Sequence, residues 1–218
     1  MKQIGTRELE TKRLHLRRIR AEDAEAMFDN WASDAQVTKY LTWSPHENRE
    51  ATRALLSVWE KEYTRNDCYR WGLEEKTTGE LIGMLDVVHT EPEIESAVIG
   101  YCLSRKYWNQ GLMTEAVCAV NRYLLQKVGY HRVEAYHHVN NLASGKVMHK
   151  SGMIYEGIRR QGAKDKNGNY RCACCGVMDK SRIYFQVDHI VPMNNGGKSV
   201  ADNLQILCRQ CNGSKGDQ

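Results

Sequence analysis

A chain of 218 residues that is 41% hydrophobic and 27% charged can bury a real core, as one large domain or as a medium domain with a small companion. A net charge of +4 is too mild to establish a nucleic-acid partner, although the basic excess gathers in the first twenty residues and again beyond residue 160. No apolar run approaches a bilayer span and the start MKQIGTRELETKR is too polar for a secretory signal, so the expected setting is the cytoplasm, with no membrane partner.

The alternation Leu14, Leu16, Arg18, Arg20 predicts an opening strand, and Asp23 then starts a helix whose apolar stripe is Ala24, Met27, Phe28 and Trp31. A second helix is expected between Pro45 and Asn66, turning Ala51, Ala54, Leu55, Val58 and Trp59 inward. From Tyr69 the period changes: strands over 69–74 and 81–88 flank the turn Thr77-Thr78-Gly79-Glu80, and a third strand runs from Ala97 to Leu103. The stretch from Leu103 to Val128 then passes through a glycine turn into a long helix with Ala116, Val117, Val120, Tyr123, Leu124 and Val128 on one face. Gly111 sits where backbone N–H groups enter that helix without partners, the local geometry that holds a phosphate. A strand over 131–139, a short helix over 144–150 and a strand over 153–160 complete this part. Strands that begin antiparallel and are later joined through helices predict an α/β (α+β) fold: a mixed, mostly antiparallel central sheet with helices on both faces.

Two further signals accompany the glycine turn: Asn141-Leu-Ala-Ser144, which offers side chains to cap a helix, and Lys150-Ser-Gly-Met153, where Gly152 ends it. With the leading TKRLHLRRIRAEDA, these resemble the Gcn5-related N-acetyltransferase (GNAT) superfamily, most closely the branch that acetylates ribosomal-protein amino termini and small amines. The resemblance covers roughly Thr11 to Tyr170 and implies an acetyl-CoA site. Trp108, Asn109, Gln110, Gly111, Leu112, Met113 and Thr114 would form the pyrophosphate loop, and strands 97–103 and 132–138 would splay to admit the pantetheine arm near Cys102, Leu103, Asn141 and Ser144. Trp108 and Met113 depart from the usual loop pattern. The chemistry implied is direct attack of a primary amine on the thioester, with the carbonyl polarised by a backbone N–H near Cys102. A tyrosine proton donor is common four residues after Ser144, where this chain has Met148, and a glutamate base is common at the position of Val98. Ser144, Glu95 and His138 stand as the candidate catalytic groups, beside His89 and Glu134.

Of the eight cysteines, Cys68, Cys102 and Cys118 are scattered and read as small hydrophobes, whereas Cys172, Cys174, Cys175, Cys208 and Cys211 crowd the last quarter. Two Cys-x-x-Cys pairs, Cys172/Cys175 and Cys208/Cys211, make a tetrahedral thiolate set for structural zinc, with Cys174 left over because its choice would break the spacing. A tail so poor in apolar residues needs such a metal to fold. The run Val187-Asp188-His189-Ile190, with Asn203 and Asn212, resembles the zinc-containing HNH nucleases. That resemblance implies a small zinc-bound ββα module in which His189 activates water, Asn203 orients it, and Asp188 and Asn212 hold Mg²⁺ or another divalent ion. Arg182, Lys198 and Lys215 would meet a DNA backbone.

The expected organisation is therefore a GNAT-like domain over 1–168 and an HNH-like module over 169–218. The expected function is acetyl transfer from acetyl-CoA to the primary amine of a small molecule or a protein N-terminus. A Mg-dependent endonuclease acting on DNA, with the larger domain accessory, is the alternative; a third reading is acetyl-CoA binding without catalysis beside a tail that only binds nucleic acid. The zinc motif begins where the family's last strand would start, so an uncovered sheet margin favouring a homodimer is also expected.

Overall fold

The computed structural model describes residues 1–157 and the strand residues 170–171, 178–179, 185–189 and 204–208. The chain divides into two compact units, Met1–Tyr155 and Glu156–Gln218.

In the first unit six strands lie in sequence order across one sheet: β1 (Leu9–Glu10), β2 (Leu14–Arg17), β3 (Arg70–Glu75), β4 (Leu81–Glu91), β5 (Ser96–Leu103) and β6 (Arg132–Ala135). Neighbours are antiparallel as far as β5, and β6 runs parallel to β5. A parallel neighbour requires a crossover, and α3 (Leu112–Tyr123), continued by a π turn over Leu124–Val128, supplies it. Leu14 and Leu16 are fully buried and alternate with the partly exposed His15 and Arg17. The expected opening strand stops at Arg17 because its guanidinium forks onto Asp23 (2.8 and 2.9 Å) and bonds Glu74 (2.6 Å), which pins the chain where it turns toward α1.

Each face of the sheet has its own core. α3 buries Ala116, Val117 and Val120 against Leu16, Trp71 and Leu85 on one face. On the other, α1 (Ala24–Met27, running on as a π turn Phe28–Ala32) and α2 (Arg49–Glu62) cover Ile19, Leu81, Met84 and Cys102 with Met27, Trp31 and Leu56. Ala24, Met27 and Trp31 of the expected stripe are buried, whereas Phe28 is only half-buried and lies under the Arg49 guanidinium; each large side chain so buried contributes roughly 1.5–3 kcal/mol.

Three expectations need correction. The inward face of α2 is Thr52, Leu55, Leu56 and Trp59; Ala51 and Ala54 are exposed, as is Val58 at 53%. Asn48 caps the helix through the Ala51 N–H (2.8 Å), and the Thr52 hydroxyl finds His46 Nδ1 at 2.8 Å, so a polar residue can face the core and the stripe is rotated. The strand expected over 131–139 ends at Ala135, after which the Asn141 N–H bonds the His138 carbonyl (2.7 Å) and the chain turns into α4 (Leu142–Lys150). Residues 153–157 form no strand, and Ile154 and Tyr155 are 86% and 70% exposed; the rest of that expected strand, 158–160, lies outside the described residues. β1 was not expected at all, being too short to show a period.

In the second unit β7 (Tyr170–Arg171) pairs antiparallel with β8 (Met178–Asp179), and β9 (Phe185–His189) with β10 (Leu204–Cys208). No helix among the described residues is long and apolar enough to cross a membrane.

The β4–β5 pair is close enough to test. A Cβ on Gly83 would lie 2.5 Å from the Cys102 carbonyl oxygen and 3.0 Å from Leu103 Cα, both backbone atoms that cannot swing away. Gly83→Ala should therefore destabilise the first unit by about 1–3 kcal/mol. All five tryptophans lie before residue 109, so denaturant titration followed by tryptophan fluorescence reads this unit alone.

Candidate active site

The site is organised by the place where the sheet comes apart. β5 and β6 pair at Ser96/Arg132, Ala97/Val133, Val98/Glu134 and Ile99/Ala135, and pairing then ceases although β5 continues to Leu103. The ladder on the other side sets which backbone groups face this opening. The Ser104 N–H donates to the Ile82 carbonyl (2.8 Å), so successive hydrogen-bonded pairs with β4 fall at Cys102/Met84 and Gly100/Asp86. The groups of Tyr101 and Leu103, not those of Cys102, therefore point toward the opening. The Leu103 carbonyl is already taken there by the Trp108 indole N–H (2.7 Å), which gives Trp108 a structural role despite its 42% exposure.

The mouth of this opening leads to the start of α3. Gly111 adopts φ +77° at the N-cap, and Asn109 is also left-handed at φ +61°. No side chain caps the helix, and its first internal bond runs from the Glu115 N–H to the Gly111 carbonyl (3.1 Å). The amides of Leu112, Met113 and Thr114 thus lie in the open first turn, at the positive end of the helix. Met113 is buried at 5% exposure and anchors the helix in the core, which accounts for a bulky residue at that position. Glu115 faces back to β2: its carboxylate takes the Arg13 N–H (2.8 Å) and Arg13 Nε (2.8 Å), while Arg13 Nη1 holds the Gln110 carbonyl (2.9 Å). Burial acts strongly to raise the Glu115 pKa, but bonds from Thr11 and Arg13 prevail and hold it below the ordinary carboxylate value.

On the α3 face, Asn141 caps α4 through the Ser144 N–H (3.3 Å), as expected. The Tyr101 hydroxyl donates to the Ser144 carbonyl (3.0 Å) and lies 2.9 Å from Ser144 Oγ, so it spans from β5 to the first turn of α4. Burial pushes the Tyr101 pKa up to about 12, against a smaller pull from Ser144. On the opposite face Asp86 stands across from Gly100, its carboxylate 3.6 Å from Arg70 Nε; burial raises its pKa to about 6 despite that cation.

Several predicted residues therefore come together: Leu103, Trp108, the loop to Thr114, Asn141 and Ser144; Cys102 does not, because its backbone groups face β4 and its side chain packs under α1 and α2. Cys102 is buried, and burial pushes its thiol pKa far up. Glu95 does not join them. It precedes β5 in a left-handed turn (φ +51°), six residues from Tyr101 or roughly 20 Å along the strand, with its carboxylate 3.7 Å from the Met1 ammonium. His138 stacks on Tyr40 at a centroid distance of 5.1 Å, and its Nδ1 accepts the Asn140 N–H (3.1 Å). The two residues missed in the sequence, Tyr101 and Asp86, are polar interruptions of otherwise apolar strands, a signal present in SAVIGYCL and LIGMLDVV but blind to which face each occupies.

In the second unit Asp188 and His189 end β9, opposite Gln205 and Leu204, and Cys208 ends β10 opposite Phe185. Cys172, Cys175, Asn203, Cys211 and Asn212 lie outside the described residues, among which no three metal-binding side chains cluster.

Residues 13–154 match the family described as the acetyltransferase (GNAT) domain, and residues 172–218 match the HNH endonuclease family. An uncharacterized N-acetyltransferase, YoaA, of Bacillus subtilis (strain 168) is 33% identical over 70% of this chain and 86% of its own. The ribosomal protein uS5 alanine N-acetyltransferase of Escherichia coli (strain K12) is 26% identical over 70% of this chain and 80% of its own. The solved structure of a ribosomal L7/L12 α-N-protein acetyltransferase in complex with coenzyme A superposes with a TM-score of 0.65 at 22% identity, covering 72% of this chain and 89% of that one.

The Gly111 turn yields a prediction of its own. Only Arg13 Nη2 stands near its missing Cβ, at 3.6 Å, so the cost of Gly111→Ala is torsional, about 1–2 kcal/mol. The thermal midpoint should fall by roughly 2–8 °C, read by calorimetry.

Proposed function

The chain belongs to the GNAT family of N-acetyltransferases, and from that premise we propose that it moves the acetyl group of acetyl-CoA to the primary amine of a small molecule or a protein N-terminus. The observation that carries this reading is the alignment of the β5–β6 opening with the uncapped start of α3, one after the other along the chain from Tyr101 to Thr114. The amides from Gln110 to Thr114 would receive the pyrophosphate oxygens, with Trp108 and Asn109 shaping the turn before them. The pantetheine arm would lie between β5 and α4, beside Leu103 and Asn141. The Tyr101 N–H, facing the opening, would polarise the thioester carbonyl as negative charge develops on its oxygen.

The leaving sulfur needs a donor, and the Tyr101 hydroxyl supports that role better than Met148 or Ser144 alone. Ser144 then serves to hold the tyrosine (2.9 Å) rather than to donate itself. With a pKa near 12 the phenol keeps its proton; swung from the Ser144 carbonyl to the sulfur, with Ser144 Oγ–H still donating to the phenol oxygen, it would stabilise the departing thiolate by a hydrogen bond, solvent completing the proton transfer. A hydrogen bond to a charged group contributes about 1.5–3 kcal/mol, so Tyr101→Phe should lower kcat roughly 10- to 150-fold. Release of free thiol from acetyl-CoA with a peptide bearing an N-terminal alanine measures this. Wild-type kcat in Tyr101→Phe would remove the tyrosine from the reaction.

A second reading concerns the tail, favoured by its match to the HNH endonucleases over residues 172–218. Cys172, Cys175, Cys208 and Cys211 are a donor set suited to zinc, and Asp188 and Asn212 are oxygen donors suited to Mg²⁺. When bound, the divalent ion would polarise a scissile phosphate, while His189, oriented by Asn203, takes the proton of water. β9 and β10 support a division of labour, since His189 and Cys208 mark opposite ends of their ribbon. Plasmid nicking that depends on Mg²⁺ and disappears in His189→Ala is the expected result; equal nicking by both proteins would dismiss a nuclease.

A further inference from the structure

We infer that Asp86, on β4, is the carboxylate that receives the acceptor's ammonium group and takes its first proton. This assignment rests on the acetyl-transfer reading above and supplies the base that neither Val98 nor Glu95 can.

Asp86 is registered against Gly100, the residue at which β5 parts from β6, and Gly100 is adjacent to the Tyr101 amide that faces the opening. Gly100 has no side chain to interpose: a Cβ there would lie 2.9 Å from Val88 Cγ1 and 3.5 Å from Asp86 Oδ1. The carboxylate thus shares with Val88 the space over Gly100, one residue from the amide where the thioester carbonyl would be held. It does so from the α1/α2 face, whereas Tyr101 occupies the α3 face, so amine and leaving sulfur have separate sides of the sheet.

The groups facing Asp86 are Arg70 from β3, Glu62 on α2 acting through Arg70, and the Cys102 thiol from β5. Arg70 is not a simple partner. Its Nη1 is committed to Glu62 at 2.8 Å, its guanidinium carbon lies 4.1 Å from the Trp59 ring centroid, and its Nε, 3.6 Å from Asp86 Oδ2, makes no hydrogen bond. A cation shared in this way stabilises the Asp86 anion without saturating it, leaving oxygen lone pairs for an incoming N–H. Burial, which leaves the side chain 17% exposed, moves its titration toward neutrality, the range in which a carboxylate works as a base.

The acceptor enters as R–NH₃⁺ and gives one proton to Asp86, which passes it to solvent. The freed nitrogen pair attacks the thioester carbon, a C–N bond forms and the C–S bond breaks. The nitrogen sheds its second proton to water and the thiolate, held by Tyr101, acquires one, giving an amide, free thiol and one net proton.

The test compares wild type, Asp86→Asn and Arg70→Gln with an N-terminal-alanine peptide and acetyl-CoA. For wild type, kcat/KM should rise with pH through an acidic limb near 6 and then level, because the base must lose its proton to act. Asp86→Asn should lose at least 100-fold in kcat/KM near pH 7.5 and lose that limb, with coenzyme A affinity within about twofold of wild type by calorimetry. Arg70→Gln retains the carboxylate but removes its cation, so its limb should move to higher pH; this arm stands even if Asp86→Asn does not fold. Activity within threefold of wild type in Asp86→Asn, or an unmoved limb in Arg70→Gln, overturns the assignment. Peptide binding to the protein–coenzyme A complex, read by calorimetry without turnover, separates the two ideas. If wild type releases no thiol, the acetyl-transfer reading fails, while binding weakened at least tenfold by Asp86→Asn still upholds the ammonium site and unchanged binding removes it.

Discussion

Hydrogen bonding between β5 and β6 stops after Ile99 and Ala135, and most of what is functional in the first unit follows from that interruption. A parallel strand that stayed paired would use up the outward amides of Tyr101 and Leu103 and close the sheet. Interrupted, β5 keeps its full ladder to β4 on one side and presents bare backbone on the other. The cost is bounded because the opening is short and its far end is sealed: Trp108 turns its indole onto the Leu103 carbonyl, and Ser104 bonds Ile82 before the chain leaves the sheet. The strand is thus rigid on the side that aligns it and open on the side that binds.

The helix start beyond it presents an electrostatic conflict that the fold resolves locally. A first-turn glutamate favours the helix dipole but opposes an anionic ligand at the same place. Arg13 settles this by taking both Glu115 oxygens with its backbone N–H and guanidinium, and by holding the Gln110 carbonyl with the remaining nitrogen. The carboxylate is neutralised without being removed, and the same contact fastens β2 to α3 across 102 positions of sequence. Arg13 lies in the basic opening segment, where Arg17 does different work, bound to Asp23 and Glu74, so two of that segment's cations are paired inside the fold.

Local rules made much of this legible. The mixed sheet, the hairpin over β3 and β4, the Gly111 turn and the Asn141 cap all depend on periodicity or on a few adjacent residues, and they lie where the sequence predicts them. The face of α2 is not legible from periodicity because Thr52 counts as polar in isolation, and its burial is offset by His46, six positions earlier, and by the Asn48 carbonyl. The end of β2 at Arg17 likewise depends on Glu74, 57 positions away. Tyr101 and Asp86 were invisible as site residues for a stricter reason. Their meaning depends on register, and a one-residue shift of β4 against β5 would put Asp86 on the face of Tyr101.

Burial raises the pKa of both residues, with opposite consequences for the chemistry. For Asp86 the shift to about 6 brings an ordinarily weak base close to neutrality, while it remains ionised at pH 7 and above. For Tyr101 the shift to about 12 makes proton release harder, so its phenol is preserved as a neutral hydrogen-bond donor throughout the working range. One low-polarity environment thus assigns an accepting role on one face of the sheet and a donating role on the other, with the Gly100–Tyr101 peptide between them. Acetyl transfer requires that asymmetry: protons must leave nitrogen on one side while charge is stabilised on sulfur at the other. A sheet that alternates its side chains between two faces delivers it from consecutive residues of a single strand and the neighbour registered against it.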